Sequence, residues 1–306
     1  MHDIVIIGGG PAGMTAALYA LRNGKSALVL EKGGFGGQIA YSPRVENFPG
    51  TLTMNGAEFA DRMLEQILAQ GAQVEVEKVI EIQDIGDIKL VITEDGSRYE
   101  AKAVIIATGV KHRMLGLEGE YELVGNGISF CAVCDGEYYR SQTVAVAGGG
   151  NSALQEAILL ADVCKQVIMV QDLDRFTGEE KLVSALLARP NVRAFTGTTI
   201  EAINTVDGAL KGLTLRKKAS PEAFQQPCDG LFVAIGLIPE NDAFSELVLL
   251  NNLGYIDSAE DCKTPRPGIF AAGDCRSKQL RQLTTAVADG AVSAIAACKH
   301  INNSFG

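Results

Sequence analysis

The stretch Gly8-Gly9-Gly10-Pro11-Ala12-Gly13 determines the first part of the fold. It follows a short β-branched run at residues 3–7 and precedes a run with helical spacing at residues 14–23. In such a loop the first glycine permits a tight turn, the second lets the backbone approach a pyrophosphate, and the third lets the helix pack closely on the sheet. The helix N-terminus then offers free N–H groups to the phosphates. The sequence therefore predicts a dinucleotide site formed by the loop residues Gly8, Gly10, Pro11, Ala12 and Gly13.

An acid follows the next predicted strand, residues 26–30, where Glu31 can accept hydrogen bonds from a ribose diol. The same arrangement occurs a second time, with a strand at 143–147, the loop Gly148-Gly149-Gly150-Asn151-Ser152-Ala153, a helix at 154–163 and a strand at 166–170. One such loop could be an ordinary α/β turn, but both copies share the strand, the helix and the acid. The second copy predicts a nucleotide site with Gly148, Gly150, Asn151, Ser152 and Asp172.

Three more apolar strands, at residues 103–109, 230–235 and 268–274, end at or next to glycine, and a helix is predicted at 283–301. The predicted fold class is α/β, with two Rossmann-like nucleotide-binding domains of the three-layer ββα type. We expect the second domain to be inserted into the first. The first would comprise residues 1–112 and 240–306, and the second residues 113–239.

The sequence Phe130-Cys131-Ala132-Val133-Cys134-Asp135-Gly136 carries the predicted chemistry. Two intervening residues let the cysteines close a small ring, and a helix start favours the thiolate. Asp135 can protonate a leaving thiolate. Half of a zinc site is the alternative, but such a site usually adds a second close pair or histidines at ligand spacing, and the histidines are scattered. The pattern favours a redox disulfide without a metal.

Composition limits the class of partner. The 306-residue chain has a formal net charge of -10, which argues against nucleic acid or an anionic membrane surface. No apolar run approaches the roughly 18 residues of a membrane helix, and the first apolar stretch enters a glycine loop, so no secretory signal is predicted. Seven cysteines with one close pair favour a cytoplasmic protein.

These motifs together resemble the low-molecular-weight thioredoxin reductases, which are FAD-dependent pyridine nucleotide-disulfide oxidoreductases, over nearly the whole chain. The matching segments are residues 8–13, 36–38, 45–50, 107–109, 131–136, 148–153, 271–274 and 281–282. The resemblance implies a homodimer, with FAD bound by residues 1–112 and 240–306 and a nicotinamide nucleotide bound by residues 113–239. It implies that Cys134 faces the flavin, that Cys131 attacks the partner disulfide and that Asp135 is the acid. It also implies FAD contacts from Gly37, Gln38, Asn47, Thr108, Gly109, Gly273, Asp274, Arg281 and Gln282.

One segment departs from the family pattern and concerns the electron donor. Members that use NADPH carry a His-Arg-Arg run and a further arginine after the second strand of the inserted domain, and these cations pair with the 2′-phosphate. Here the segment is Gln171-Asp172-Leu173-Asp174-Arg175-Phe176-Thr177, whose carboxylates would repel a phosphate. It is similar to the flavoprotein subunit of alkyl hydroperoxide reductase, whose NADH-binding strand ends in an acid. We therefore expect NADH to be preferred over NADPH.

Two other hypotheses remain open from the sequence. Some flavoproteins that resemble thioredoxin reductase take electrons from ferredoxin and have degenerate nicotinamide sites, but the intact loop at Gly148 and the acidic chain disfavour this donor. A flavin-binding sensor without turnover is disfavoured by the intact cysteine pair. The expected protein substrate is thioredoxin or a glutaredoxin-like carrier.

Overall fold

The structure is a computed structural model that describes residues 1–42, 45–220 and 222–305. Their contacts divide them into two compact units. The first unit contains residues 1–42, 48–111 and 238–305, and the second contains residues 45–47 and 112–237. The main body of the second unit is therefore a single insertion into the first. Which nucleotide each unit binds stays a prediction.

The elements follow one another in the order that the glycine loops predict. The helices are α1 Pro11–Arg22, α2 Gly56–Ala69, α3 Ala132–Asp135, α4 Asn151–Val163, α5 Glu180–Leu187 and α6 Leu283–Phe305. The strands are β1 His2–Ile7, β2 Ala27–Leu30, β3 Gln73–Glu75, β4 Val79–Ile85, β5 Ile88–Thr93, β6 Arg98–Ile106, β7 Val110–His112, β8 Ile128–Ser129, β9 Thr143–Ala147, β10 Gln166–Val170, β11 Val192–Phe195, β12 Thr198–Val206, β13 Ala209–Lys217, β14 Ala223–Pro227, β15 Gly230–Val233, β16 Leu237–Pro239 and β17 Ile269–Ala271.

The first unit is built on a sheet with the strand order β3-β2-β1-β6-β5-β4, and β17 also pairs with β6. β1 lies parallel to β2 and β6, while β5 pairs antiparallel with β4 and β6. Because side chains alternate along β1, Ile4 and Ile6 pack with α1 and α6 on one face, while Val5 and Ile7 pack with β4 and β5 on the other. Burying a side chain of this size stabilises the fold by about 1.5–3 kcal/mol.

The second unit has a parallel sheet with the strand order β11-β10-β9-β15-β8, and a separate antiparallel sheet β12-β13-β14. Val144 and Val146 of β9 pack against α4 and α5, while Ala145 and Ala147 pack against β13. The layers are therefore helices, parallel sheet and antiparallel strands, which is the predicted three-layer arrangement. β7 pairs with β16 in a two-stranded sheet where the chain passes from one unit to the other.

Several predicted boundaries were wrong in detail. α1 begins at Pro11 rather than at residue 14, because proline fixes a helical φ and needs no N–H partner at the first position. α4 likewise begins at Asn151 rather than at residue 154, and α6 continues to Phe305 rather than ending at 301. β15 ends at Val233, short of the predicted residue 235. Among the described residues, no helix is both long enough and apolar enough to cross a membrane.

Candidate active site

The first glycine loop forms a turn that requires glycine. Gly8 has φ +113°, and a Cβ there would lie 2.3 Å from the Ala107 carbonyl oxygen. A Cβ at Gly13 would lie 1.9 Å from the Gly8 carbonyl oxygen, so the start of α1 packs directly on the turn. A Cβ at Gly10, in contrast, would come no closer than 4.0 Å to any described atom. The loop therefore leaves space beside the N-terminus of α1, where phosphate groups bind in such folds.

Glu31 follows β2 and holds the loop from the side. Its Oε2 accepts a hydrogen bond from the Gly9 N–H at 2.7 Å, and its Oε1 accepts one from the Gly33 N–H at 2.9 Å. The Glu31 N–H donates to the Glu75 carbonyl oxygen at 3.0 Å, which fixes the residue at the end of the parallel strands. A carboxylate has about four acceptor positions, so Glu31 retains capacity for ribose hydroxyls.

Asp274 places an acceptor beside the same loop. Gly273 has φ +77°, and a Cβ there would lie 2.8 Å from the Ala12 Cβ, so this turn packs against the start of α1. Asp274 Oδ1 is buried and accepts no hydrogen bond from the described residues, although Lys278 Nζ lies 3.4 Å away. Burial raises the pKa of Asp274, and Lys278 opposes the change. A buried acceptor without a donor, next to a glycine loop, fits a bound group that carries hydroxyls, as the ribityl chain of FAD does.

Two other predicted flavin positions lie where β6 ends. The Thr108 hydroxyl donates to Asn241 Oδ1 at 3.0 Å, and Gly109 follows with φ +68°. Gln38 donates from Nε2 to the Val110 carbonyl oxygen at 2.6 Å, after Gly37 opens a short 3-10 helix with φ +59°. The Gln38 hydrogen bond holds the 3-10 helix against the start of β7.

Arg281 and Gln282 lie just before α6. The Arg281 guanidinium stacks over the Tyr255 ring, 4.0 Å from its centroid, and donates to the Asp274 carbonyl oxygen at 3.3 Å. The Gln282 N–H donates to a threonine hydroxyl in the first turn of α6. The structure thus brings the predicted flavin residues together in the first unit with one exception. Asn47 is exposed and belongs by its contacts to the second unit.

The second glycine loop repeats the geometry of the first. Gly148 has φ +128°, and a Cβ there would lie 2.4 Å from the Ala234 carbonyl oxygen. Gly8 approaches the Ala107 carbonyl oxygen in the same way. Gly150 is the N-cap residue of α4, and the exposed residues Asn151 and Ser152 form its first turn. The backbone of this loop therefore has the shape that a dinucleotide pyrophosphate requires.

The two residues that follow β10 differ in burial. Gln171 is buried, and its amide packs so closely that a Cβ at Gly149 would lie 2.5 Å from it. Asp172, the predicted ribose acceptor, is exposed and lies 3.6 Å from Lys218 Nζ. Lys218 therefore partly offsets the negative charge that Asp172 presents to a nucleotide.

Contacts that the sequence did not predict join residues 177–179 to the second loop. The N–H groups of Thr177 and Gly178 donate to the Gly149 carbonyl oxygen at 2.8 and 3.1 Å. The Glu179 N–H donates to Asn151 Oδ1 at 2.7 Å, and Asn151 Nδ2 donates to the Glu179 carboxylate at 3.1 Å. A carboxylate thus stands at the N-terminus of α4. A groove of about 770 Å³, lined by Arg175, Phe176, Thr177 and residues of α5 and β11, opens beside this segment.

Cys131 and Cys134 are joined by a disulfide with a Cα–Cα distance of 5.2 Å. Cys131 is the N-cap residue of α3, and its Sγ accepts a hydrogen bond from the Cys134 N–H at 3.2 Å. The Ser129 hydroxyl accepts from the Cys131 N–H at 3.1 Å and donates to Asp135 Oδ2 at 2.5 Å. Ser129 therefore links the backbone of the disulfide to the predicted acid.

Burial changes the ionisation of the groups around the disulfide. It raises the pKa of Asp135, and the hydrogen bond from Ser129 opposes the change. It raises the pKa of Glu156 on α4 to about 7. It lowers the pKa of His112 to about 4, and the His112 ring stacks on Phe130 with 4.2 Å between the centroids. Asp135 can thus hold a proton at a higher pH than an exposed aspartate, as an acid for a leaving thiolate requires.

The other cysteines have a different environment. Cys164, Cys228, Cys262, Cys275 and Cys298 are free thiols and are buried, and burial raises the pKa of each. A buried thiol with a raised pKa is a poor nucleophile. Among the described residues, no group of three or more His, Cys, Asp or Glu side chains could hold a metal ion.

Comparison with known proteins defines the class. The family described as pyridine nucleotide-disulphide oxidoreductase matches residues 2–290, and this chain belongs to that family. The chain is 38% identical to a thioredoxin reductase of Listeria monocytogenes, covering 98% of this chain and 94% of that protein. It is 37% identical to a thioredoxin reductase of Bacillus subtilis over 96% of this chain and 93% of that protein.

Solved structures agree with these sequence relatives. The thioredoxin reductase from Streptococcus pyogenes superposes with a TM-score of 0.94 at 37% identity, covering 99% of each chain. The predicted α/β fold with two Rossmann-like domains and the resemblance to low-molecular-weight thioredoxin reductases are confirmed. The protein is an FAD-dependent disulfide oxidoreductase.

Proposed function

We propose that this enzyme is a thioredoxin reductase that passes electrons from a reduced donor, through FAD and the Cys131–Cys134 disulfide, to thioredoxin. The observation that carries the proposal is the closed disulfide beside Asp135, whose pKa burial raises. The similarity to thioredoxin reductases over nearly the full length supports the same substrate. A glutaredoxin-like carrier is the other protein substrate that a two-cysteine exchange centre could serve.

FAD would be held in the first unit. The N-terminus of α1 and the space at Gly10 suit the pyrophosphate, Glu31 suits a ribose, and Asp274 Oδ1 suits a hydroxyl of the ribityl chain. Thr108, Gly109, Gly37, Gln38, Gly273, Arg281 and Gln282 would complete the site. The family resemblance is what supports Asn47 as a further flavin contact. When bound, FAD exchanges electrons between a two-electron donor and a disulfide.

The disulfide would act by thiol–disulfide exchange. Reduction breaks the bond between Cys131 and Cys134 and adds two electrons. Cys131 then attacks one sulfur of the thioredoxin disulfide, and the other thioredoxin sulfur leaves as a thiolate. Cys134 attacks the Cys131 sulfur, which re-forms the internal disulfide and releases the second thiolate. Asp135 would give a proton to a leaving thiolate, with Ser129 fixing its orientation.

NADH is the proposed donor, bound by the second glycine loop through Gly148, Gly150, Asn151 and Ser152. No arginine stands at the two positions after Gln171, and Asp172 occupies the first of them. A carboxylate there can accept hydrogen bonds from a free ribose diol but would repel a 2′-phosphate. Lys218 reduces this repulsion without removing it, because both side chains are exposed.

A second candidate donor is reduced ferredoxin or another flavoprotein, and one observation favours it. The Glu179 carboxylate stands at the N-terminus of α4, where the phosphates of a nicotinamide nucleotide would need positive charge. If Glu179 stays in place, the second loop would bind either nucleotide weakly. The donor would then have to reach the flavin by another route.

One experiment distinguishes the donors. Oxidised holoenzyme is mixed anaerobically with NADH, NADPH or reduced ferredoxin, and the loss of flavin absorbance is followed. Rapid reduction by NADH supports the main proposal, with a preference of roughly ten- to a thousandfold over NADPH. Negligible reduction by both nucleotides with rapid reduction by ferredoxin would replace NADH with the second candidate. Reduced enzyme is then offered thioredoxin or a glutaredoxin to identify the carrier.

We also propose that the protein is a cytoplasmic homodimer. Five buried cysteines remain free thiols, which is typical of a reducing compartment. A groove of about 610 Å³ in the first unit is lined partly by apolar residues of α6, of which Val292 is exposed. Light scattering of the purified holoenzyme tests the dimer, and a monomer at micromolar concentration would contradict it.

A further inference from the structure

We propose that Glu156 is a positioning residue for the redox disulfide, which holds the backbone of the disulfide helix and controls the ionisation of the reduced cysteines through its charge. The inference rests on the redox role proposed for Cys131 and Cys134. Glu156 lies on α4, the helix that begins at the second glycine loop, and is distant in sequence from the cysteine pair.

The geometry connects Glu156 directly to the redox turn. The N–H of Ala132, the first residue of α3 after the N-cap Cys131, donates to Glu156 Oε2. The preceding amide, the Cys131 N–H, donates to the Ser129 hydroxyl, which in turn donates to Asp135. Two consecutive amides of the disulfide turn are therefore connected to carboxyls. Glu156 binds the Ala132 N–H directly, and Asp135 is connected to the Cys131 N–H through the Ser129 hydroxyl.

The Cys134 N–H, which donates to Cys131 Sγ at 3.2 Å, is the amide placed to stabilise a Cys131 thiolate. The free N–H groups at a helix start lower the pKa of a cysteine placed there. An ionised Glu156 holds the Ala132 N–H of the same helix start and adds a like charge, so it disfavours the thiolate. A protonated Glu156 is neutral and does not repel it.

The Glu156 carboxyl changes its charge near neutral pH. Burial raises its pKa to about 7, the hydrogen bond from Ala132 opposes the change, and the charge of Asp135 adds to it. Elements packed against α4 carry other titratable groups. On the turn after α3 these are Tyr138, Tyr139 and Glu137, which forms an ion pair with Arg140. On α5 they are the exposed Glu180 and Lys181. Asp135 is the charged group that acts on Glu156, so the two carboxyls and the two sulfurs form one coupled set.

The coupling fits the proton balance of the reaction. Reduction breaks the S–S bond, and the two electrons supplied through FAD leave two sulfurs that take up protons. Exchange with thioredoxin forms and breaks one S–S bond at each of two steps, and the protons finally reside on the two thioredoxin sulfurs. Glu156 is not a direct proton donor in this scheme. It determines how readily Cys131 gives up the proton it gained on reduction.

The test uses holoenzyme reduced with dithiothreitol, freed of it anaerobically, and alkylated with iodoacetamide between about pH 5.5 and about pH 9.5. Mass spectrometry quantifies alkylation of the peptide that carries Cys131 and Cys134. The variant is Glu156→Gln, which keeps the size and the acceptor oxygen but removes the charge. The matched control is Gln155→Glu, which adds a carboxylate at the neighbouring exposed position of α4.

In the parent protein, the alkylation rate should show two ionisations, one near pH 7 from Glu156 and one from the thiol. Glu156→Gln should show one ionisation, shifted to lower pH, with alkylation near pH 8 about three- to tenfold faster. Gln155→Glu should behave like the parent. An unchanged profile in Glu156→Gln would overturn the inference. If that variant does not fold, a single ionisation in the parent would overturn it equally.

The same samples separate this inference from the proposed function. If the unreduced protein is alkylated at Cys131 and Cys134 as fast as the reduced protein, no functional disulfide exists and the proposed function fails. If the disulfide protects both cysteines but the pH profile does not respond to Glu156, only the role of Glu156 fails. If the role of Glu156 were merely structural, Glu156→Gln would increase the exposure of the half-buried Cys131 and Cys134 without shifting the pH dependence.

Discussion

Gln171 occupies in the second unit the position that Glu31 occupies in the first. Each residue follows a central parallel strand and donates its N–H to the neighbouring strand end, at 3.0 Å for Glu31 and 2.9 Å for Gln171. Each side chain contacts the middle glycine of its own loop, Gly9 or Gly149. Asp172 therefore lies one residue beyond the position that corresponds to Glu31. Discrimination between NADH and NADPH by charge would therefore depend on Asp172, whose side chain is exposed.

This relationship makes the donor preference testable at one residue. Replacing Asp172 with arginine should raise the rate of flavin reduction by NADPH relative to NADH by at least about tenfold, because a repelling charge becomes a bidentate partner for the 2′-phosphate. Stopped-flow reduction with each nucleotide measures the ratio. Glu122→Arg, an equal charge change at an exposed site of the second unit, is the control. An equal ratio in all three proteins would refute the role of Asp172.

Asp274 should be needed to retain FAD. The Asp274→Asn change replaces one buried carboxylate oxygen by an amide group, so FAD affinity should fall by roughly 30-fold, or about 2 kcal/mol. Fluorescence of released flavin during dilution measures the affinity. Asp257→Asn, at an exposed site of the same unit, should bind FAD like the parent. Equal retention by both variants would remove Asp274 from the site.

The two cysteines should differ in their relation to the flavin. Cys131→Ser leaves Cys134 as the free sulfur, and we expect its thiolate to give a long-wavelength charge-transfer band with oxidised FAD. Cys134→Ser should give little or no such band. Absorbance spectra between neutral and alkaline pH record the difference, and Cys164→Ala, which changes a buried free thiol, should match the parent. A stronger band in Cys134→Ser would reverse the assigned roles.

His112 should contribute to acid sensitivity of the fold. Because burial lowers its pKa to about 4 in the folded protein, below the usual 6.5 of an unfolded chain, the native state binds fewer protons between these values. Its stabilising effect is complete above about pH 6.5 and is lost as pH falls to about 4, a loss of up to about 3 kcal/mol. Urea denaturation of the parent and His112→Gln should show a smaller dependence on pH in the variant. His2→Gln, at a half-buried site, should keep most of the parent's dependence. Parallel curves for the parent and His112→Gln would contradict the assignment.

The sequence was most informative where a single short segment determines the backbone. Gly8 and Gly148 require positive φ, and both loops could be identified because the chain places a strand before and a helix after each of them. The disulfide was predictable for the same reason, since Cys131 and Cys134 are near neighbours in the chain.

Contacts between distant segments could not be found this way. Glu179 approaches Asn151, and Glu156 approaches Ala132, because the sheet brings helices and loops together in three dimensions. Neither residue belongs to a spaced pattern. The positional equivalence of Gln171 and Glu31 could not be found from the sequence either, because Gln171 is an amide and not an acid. The role of Asp172 as ribose acceptor stays a prediction.

The most direct test of the account is transfer from the reduced disulfide to thioredoxin without any nucleotide. Holoenzyme is reduced with dithionite, mixed anaerobically with thioredoxin disulfide, and the new thioredoxin thiols are counted by mass-resolved alkylation. We expect the fully reduced parent to form about two thioredoxin dithiols per enzyme, one from the cysteine pair and one from the reduced flavin, while Cys131→Ser and Cys134→Ser form none. Equal thiol formation by the parent and either serine variant, or none by the parent, would contradict the account.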